Sequence, residues 1–116
     1  MGATIRSSSV VAVTIPNGAA LSQAISMHDY ASGMLIMPAA WTAAALSFKV
    51  CDSQGGTFVP LKVAAGTVCE LTVAANVAFA LPADLASVAY FKLWSETGSS
   101  DVTQGADRNM ILVLKS

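Results

Sequence analysis

Residues 34–58, MLIMPAAWTAAALSFKVCDSQGGTF, decide how the chain folds. An apolar run at 34–37 ends at Pro38, and a bridge of small residues around one tryptophan follows it. Residues 46–51 then alternate apolar and polar side chains, which is typical of a β-strand with one buried face. Segment 52–57 is rich in Asp, Ser and Gly, which favour a hairpin turn. The stretch therefore predicts strand, bridge, strand and turn.

Strand-like runs continue on both sides of this stretch at short spacing. They lie at 10–15, 21–27, 34–37, 46–51, 58–63, 68–73, 77–81, 88–96 and 108–115. Pro60 cannot donate a ladder hydrogen bond, so its run is predicted to be an edge strand or to carry a bulge. Residues 82–87 predict one helical turn, and 97–107 predict a long loop. The sequence therefore predicts an all-β fold, an antiparallel β-sandwich or jelly roll of about eight short strands.

At 116 residues the chain has the usual length of one domain. Residues 1–9 are small, polar and rich in serine, and we expect them to form a flexible N-terminal arm. Residues 10–116 are predicted to form a single β-sandwich domain. The alanine-rich bridge 39–45 favours helix by propensity, but it is too short and uncapped for more than one helical turn.

Composition limits the classes of partner. Charged residues make up 11% of the chain and the net charge is −1, whereas about 25% charged residues is usual. Such a surface favours association with other protein chains. The few Lys and Arg residues are spread along the sequence, so we expect no nucleic-acid binding. No apolar run reaches the ~18 residues of a membrane span, and no signal-peptide pattern opens the chain, so we expect no membrane contact.

Residues that carry chemistry are few and scattered. His28 stands in a Gly/Ser loop without a nucleophile motif, and we interpret it as a solvated side chain. Cys51 and Cys69 fall on opposite faces of their predicted strands, which predicts two free thiols. Asp101 and Asp107 lack the spacing of a calcium loop. We therefore predict no enzyme activity, no catalytic residue, no metal site and no cofactor.

Two predicted strands, 34–37 and 110–114, are apolar on both faces, although a strand with one wet face should alternate. A two-layer sandwich has no third layer for the outer face, so the arm, the bridge 39–45 or another chain must cover it. We favour a partner subunit, since each large aliphatic side chain so covered contributes about 1.5–3 kcal/mol. The predicted interface residues are Met34, Ile36, Trp41, Trp94, Met110 and Leu112.

The aromatic side chains also allow a different interpretation. Trp41, Trp94 and Tyr30 could stack on sugar rings, as flat aromatic platforms on β-sandwiches do. Alternatively, Trp41 closes the open end of the sandwich, and Trp94 packs under the arm or against a neighbouring chain. We favour packing and keep glycan binding as the alternative.

Four segments carry a resemblance. They are 36–48 (IMPAAWTAAALSF) with the turn 52–58 (DSQGGTF), the opening 15–19 (IPNGA) and the ending 104–114 (QGADRNMILVL). Together they resemble a family of small virion-associated structural proteins encoded in tailed-bacteriophage genomes. No catalytic residue comes with this resemblance, and neither cysteine belongs to the shared segments.

The resemblance implies a capsid cement, or decoration, protein. Such a protein binds the outside of a phage head and stabilises the contacts between capsomers. The implied partners are further copies of the chain, as a homotrimer, and the major capsid protein. The implied location is the exterior of the virion, after synthesis in the host cytoplasm. The alternative is a carbohydrate-binding module of a phage tail or head fibre that uses the exposed aromatic side chains.

Overall fold

Two antiparallel sheets pack face to face in the computed structural model, which describes residues 8–63 and 66–116. The first sheet has the strand order β1 (Ser8–Ile15), β10 (Arg108–Lys115), β3 (Ser32–Ile36) and β7 (Ala78–Ala80). The second has the order β2 (Ile25–Ser26), β8 (Tyr90–Thr97), β4 (Ala45–Cys51) and β5 (Val59–Pro60). Two short strands extend it: β6 (Glu70–Leu71) pairs with β4, and β9 (Ser100–Asp101) pairs with β8. The predicted β-sandwich is confirmed.

The strand pairs are nested along the chain. The first strand pairs with the last (β1 with β10), and β2 pairs with β8, β3 with β7 and β4 with β5. This is the order produced by one long hairpin wrapped around two sheets, which is the arrangement of a jelly roll. The short strands β6 and β9 are additions to that plan.

The inner faces of the two sheets form one core. Val13 and Ile15 on β1 lie beside Met110, Leu112 and Leu114 on β10, and all five are buried. From the second sheet, Phe48 and Phe91 meet edge to face, with ring centroids 5.8 Å apart. Alternation within each strand supplies these inward side chains, because successive residues point to opposite faces of a sheet.

The segment predicted as a long loop, 97–107, contains a tight hairpin. Gly98 has φ 57° and Ser99 has φ 66°, and they connect the paired residues Thr97 and Ser100. Positive φ at both central residues marks a type I′ turn, whose twist matches that of the flanking strands. The Gly-Ser dipeptide therefore folds β9 back onto β8, and only residues 102–107 remain irregular.

Several local predictions can be compared with the structure. Val59–Pro60 is an edge strand, as the proline requires, and a 3₁₀ turn at Ala83–Ser87 follows Pro82. The bridge 39–45 contains no helical turn before β4 begins at Ala45. The predicted arm 1–9 overlaps β1, since Ser8 and Ser9 already pair with Lys115 and Leu114; residues 1–7 lie outside the described residues.

Candidate interaction surface

The outer face of the first sheet is apolar across all four strands. Strand register places the outward residues in two adjoining rows. One row is Ala12, Ile111, Ile36 and Ala78, and the other is Val10, Val113, Met34 and Ala80. We call these residues the apolar face.

The larger side chains of the apolar face are open to solvent. The exposed fraction is 69% for Val10, 43% for Ile111, 39% for Met34 and 37% for Ile36. Residues 8–63 and 66–116 therefore leave the centre of this face uncovered. The largest apolar patch on a soluble protein is often a functional surface. A surface of this kind is typical of a protein–protein contact.

Polar residues border the apolar face at both ends of its strands. At one end, Ser8, Lys115 and Ser32 form a third row. At the other end, the Thr14 hydroxyl donates a hydrogen bond of 2.8 Å to Asn109 Oδ1. An apolar centre with a polar rim is the usual anatomy of an interface.

The free edge of β1 is partly blocked by one side chain. Gln23 Nε2 donates to the carbonyl of Ala12 over 2.9 Å, and Gln23 Oε1 accepts from the N–H of Thr14 over 3.1 Å. This amide occupies backbone groups that an added strand would use. Association through this edge is therefore hindered, whereas the apolar face itself stays open.

The predicted interface residues divide between the face and the core. Met34 and Ile36 lie on the apolar face. Met110 and Leu112 point into the sandwich and are 1% and 0% exposed. The outward residues of β10 are instead Ile111 and Val113, which alternate with the inward Met110 and Leu112. The sequence is apolar on both sides of this strand and did not reveal which side faces outward.

Trp94 lies on the outer face of the second sheet, yet only 2% of it is exposed. Its Nε1–H donates a hydrogen bond of 2.7 Å to Asp101 Oδ1 on β9. Lys49 Nζ lies 4.6 Å from the centroid of the indole ring. The β8–β9 hairpin and Lys49 therefore cover this side chain.

The other two aromatic candidates also pack within the chain. Trp41 is half-buried against the core, and its Nε1–H donates to the carbonyl of Ala44 over 3.2 Å. Tyr30 is half-buried against the same core. These three rings do not form a flat exposed platform.

A carboxylate is buried on the outer side of the second sheet. Glu96 is 0% exposed. Its Oε1 accepts a 2.6 Å hydrogen bond from the Ser47 hydroxyl, and its Oε2 accepts a 2.8 Å bond from the N–H of Ser99. Register places Glu70 opposite Ser47, so Glu70 approaches Glu96 across β4. The cluster holds β6 and the β8–β9 turn onto β4.

The two carboxyl groups have opposite pKa shifts. A hydrogen bond with Glu96 raises the pKa of Glu70, and desolvation and the Glu96 charge act in the same direction. Burial alone would raise the pKa of Glu96, but hydrogen bonds from Glu70, Ser47 and Ser99 lower it overall. When the pair holds a single proton, that proton therefore resides on Glu70, which donates it in a hydrogen bond to the ionised Glu96.

Sequence reasoning missed Gln104, which is 1% exposed. Its Oε1 accepts from the N–H of Thr42 at 2.9 Å and from Arg108 Nε at 3.1 Å, and its Nε2 donates to the Ser95 hydroxyl at 2.8 Å. Gln104 thereby ties the start of β10 to the bridge before β4. A glutamine in a polar loop gives no sequence signal of this burial.

The titratable and nucleophilic candidates named from the sequence can each be placed in the structure. No group of three or more His, Cys, Asp or Glu side chains among them is placed to hold a metal ion. His28 is exposed and meets the ring of Tyr90 edge to face, with centroids 5.0 Å apart. Cys51 and Cys69 are free thiols, as predicted. In the part of the chain that the structure describes, no helix has the length and apolar composition that a membrane crossing requires.

Comparison with known proteins gives one informative likeness. No protein-family model matches this chain, and no curated protein matches it. Among solved structures, the chain is similar to the crystal structure of SPBc2 prophage-derived protein YomS. The TM-score is 0.62 and the sequence identity 12%, over 100% of this chain and 99% of that one. At this identity the likeness shows a common fold along the whole chain.

Proposed function

We propose that the chain is a structural protein of a tailed-phage particle, of the capsid cement type. In this role it binds the outside of the head and stabilises the contacts between capsomers. Its partners are further copies of itself, as a homotrimer, and the major capsid protein. The observation that carries the proposal is the uncovered apolar face of the first sheet.

The apolar face suits a protein whose working state is an assembly. Its large side chains are exposed in the isolated chain, and burying each of them against another subunit contributes about 1–2 kcal/mol of binding, since part of each is covered already. The low charge of the whole chain acts in the same direction, because little electrostatic repulsion opposes close packing of copies.

The phage assignment is supported by two independent likenesses. Segments 15–19, 36–48, 52–58 and 104–114 resemble small virion proteins of tailed phages in sequence. The similar solved structure is that of a prophage-derived protein, and its fold matches this chain from end to end. Glycan binding has less support, because Trp94 is buried and Trp41 and Tyr30 are half-buried.

Particles assembled without this chain would test the proposal. Deletion of the gene from the phage that encodes it should yield particles that lose infectivity at lower temperature than wild-type particles. Adding the purified protein to these particles should restore heat resistance. Unchanged heat resistance, together with failure of the purified protein to bind the particles, would contradict the cement function.

A further inference from the structure

We infer that the outer side of the second sheet binds an acidic sugar, a monosaccharide unit that carries a carboxylate group. The site is built around Lys49 in β4 and Lys92 in β8. It lies on the other side of the sandwich from the apolar face, and it does not depend on the proposed cement function. Nor does it need an exposed platform formed by Trp41, Trp94 and Tyr30.

The two lysines face each other directly across the sheet. Strand register pairs Lys49 with Lys92, and alternation places both on the outer side, together with Ser47 and Trp94. Like charges directly opposite each other in neighbouring strands destabilise a sheet. Within the described part of the chain, neither ammonium group forms an ion pair. The fold thus retains a repulsion that a neutral residue at either position would remove, and such exceptions are expected at functional sites.

An aromatic ring holds each ammonium group in place. Lys49 Nζ lies 4.6 Å from the centroid of the Trp94 ring, which is itself fixed by the hydrogen bond to Asp101. Lys92 Nζ lies 4.7 Å from the centroid of the half-buried Phe58 ring. A ring orients a cation but supplies no counter-charge, so the N–H donors stay available for an anion. Because the ammonium groups are already positioned, less side-chain freedom is lost when a ligand binds.

The next row of outward residues adds ring faces and hydrogen-bonding groups. Tyr90 stands opposite Cys51 in this row, on the same strand as Lys92. Its ring meets that of the exposed His28 edge to face, with centroids 5.0 Å apart. In the described chain, neither the Tyr90 hydroxyl nor a ring nitrogen of His28 has a hydrogen-bond partner.

A sugar acid has a group for each part of this surface. The CH groups of its ring pack against aromatic side chains, and its hydroxyls form hydrogen bonds with the polar atoms of Tyr90 and His28. Its carboxylate forms charge-assisted hydrogen bonds with the lysines. The cationic pair and the aromatic pair are therefore used together.

Carboxylates on the same face limit the negative charge of the ligand. Glu70 lies opposite Ser47, one row beyond the lysines, and Glu96 and Asp101 form the row after that. Two ammonium groups provide counter-charge for one or two anionic groups, and the chain as a whole adds none because its net charge is −1. A nucleic acid carries a negative charge on every unit and needs many cationic contacts. A glycan in which only some units carry a carboxylate fits this limit.

An acidic side chain of another protein is the main competing ligand. It matches the lysines as well as a sugar acid does. It presents neither a ring of CH groups nor hydroxyls to Tyr90 and His28, so it uses only the cationic part of the surface.

Calorimetric titration with matched ligands tests the site. A hyaluronan oligosaccharide, which alternates glucuronate with a neutral sugar, is compared with a neutral chitin oligosaccharide of equal length, and sialyllactose is compared with lactose. At least one acidic ligand should bind about 10-fold or more tightly than its neutral counterpart, and added salt should weaken that binding. Oligoglutamate and single-stranded DNA should bind more weakly than that ligand.

Variants of the lysines locate the binding on this face. Lys49→Gln and Lys92→Gln should each weaken binding of the acidic ligand by about 10-fold or more. Their thermal unfolding midpoints should stay near that of the wild type, because the lost ring contact and the lost like-charge repulsion oppose each other. Lys115→Gln is the matched control, since it removes the same charge from the first sheet and should leave binding unchanged.

Three results would overturn the inference. The first is that neither acidic ligand binds more tightly than its neutral counterpart. The second is that oligoglutamate or DNA binds as tightly as the acidic sugar, which would indicate an acidic protein partner or a general attraction for anions. The third is an equal loss of binding in Lys115→Gln. The heat resistance of particles is a separate measurement, so the cement proposal stands or fails independently.

Discussion

Gln104 is a buried amide whose hydrogen bonds join two loops at one end of the sandwich. Replacing it by leucine keeps the volume but leaves the Thr42 N–H and the Ser95 hydroxyl without this partner. Unsatisfied buried polar groups cost about 1–3 kcal/mol, so we expect Gln104→Leu to lower the free energy of unfolding by about 2–3 kcal/mol. Urea unfolding measures this change. Thr103→Ala, at an exposed neighbour, should change stability by less than about 0.5 kcal/mol; an equal loss in both variants would contradict the role of Gln104.

The carboxyl pair of Glu70 and Glu96 predicts a pH-dependent contribution to stability. The pKa of Glu70 is raised in the folded chain, so its contribution is complete below its unfolded pKa and is lost as pH rises through the folded pKa. The pKa of Glu96 is lowered in the folded chain. Its contribution is therefore complete above its unfolded pKa and is lost as pH falls through the folded pKa. The pair should therefore stabilise the fold most at mildly acidic pH.

Glu70→Gln tests this sign. The amide donates a hydrogen bond to Glu96 at any pH and removes the like charge at neutral pH. We expect the variant to exceed the wild type in unfolding free energy at neutral pH, by only about 0.5 kcal/mol because Glu70 is exposed. Urea unfolding curves measured over a series of pH values should show that the difference in unfolding free energy between the variant and the wild type vanishes at mildly acidic pH. Glu70→Ala, which lacks the donor, is the control, and a less stable Glu70→Gln at neutral pH would contradict the assignment.

At the scale of the element, Gly33 lets β3 lie close to its neighbours. A Cβ there would stand 2.8 Å from Leu81 Cδ1, 2.9 Å from Leu114 Cδ2 and 2.9 Å from the Val113 carbonyl oxygen. Because one of these atoms is backbone, Gly33→Ala should destabilise the fold by about 1–3 kcal/mol. Gly55→Ala is the control, since a Cβ at Gly55 meets nothing within 4 Å. Equal urea midpoints for the two variants would contradict this packing.

Alternation and turn residues were sufficient to predict most strands and the sandwich. They could not orient β10, where every residue from Met110 to Leu114 is apolar. Its orientation follows from the pairing with β1, which sets Val13 opposite Met110 and Val11 opposite Leu112. This register depends on contacts between residues that are far apart in the chain, so no local pattern in the sequence predicts it.

Trp94 shows a second limit of sequence reasoning. Alternation along β8 places Trp94 on the side opposite Phe91 and Leu93, towards the outer side of the sheet. It did not predict that the outer side would be covered. The cover is the β8–β9 hairpin, which depends on the positive φ angles of Gly98 and Ser99. The burial of Trp94 thus depends on where the chain runs after β8, which the sequence of β8 itself does not predict.

At the scale of the whole molecule, the two outer surfaces differ in character. The outer side of the second sheet carries Lys49, Lys92, Glu70 and the buried Glu96 within a network of local contacts. The outer side of the first sheet carries aliphatic residues that the described chain leaves open. The two outer sides of the sandwich therefore differ in polarity, and the apolar one is the side on which the proposed assembly role rests.

A density map of the intact phage particle that carries this chain tests the account most directly. The account predicts a jelly-roll subunit on the outside of the head, with protein density against the outer face of β10 and β3. A particle without the chain, or a subunit whose Ile111 and Met34 face bulk water, would contradict it.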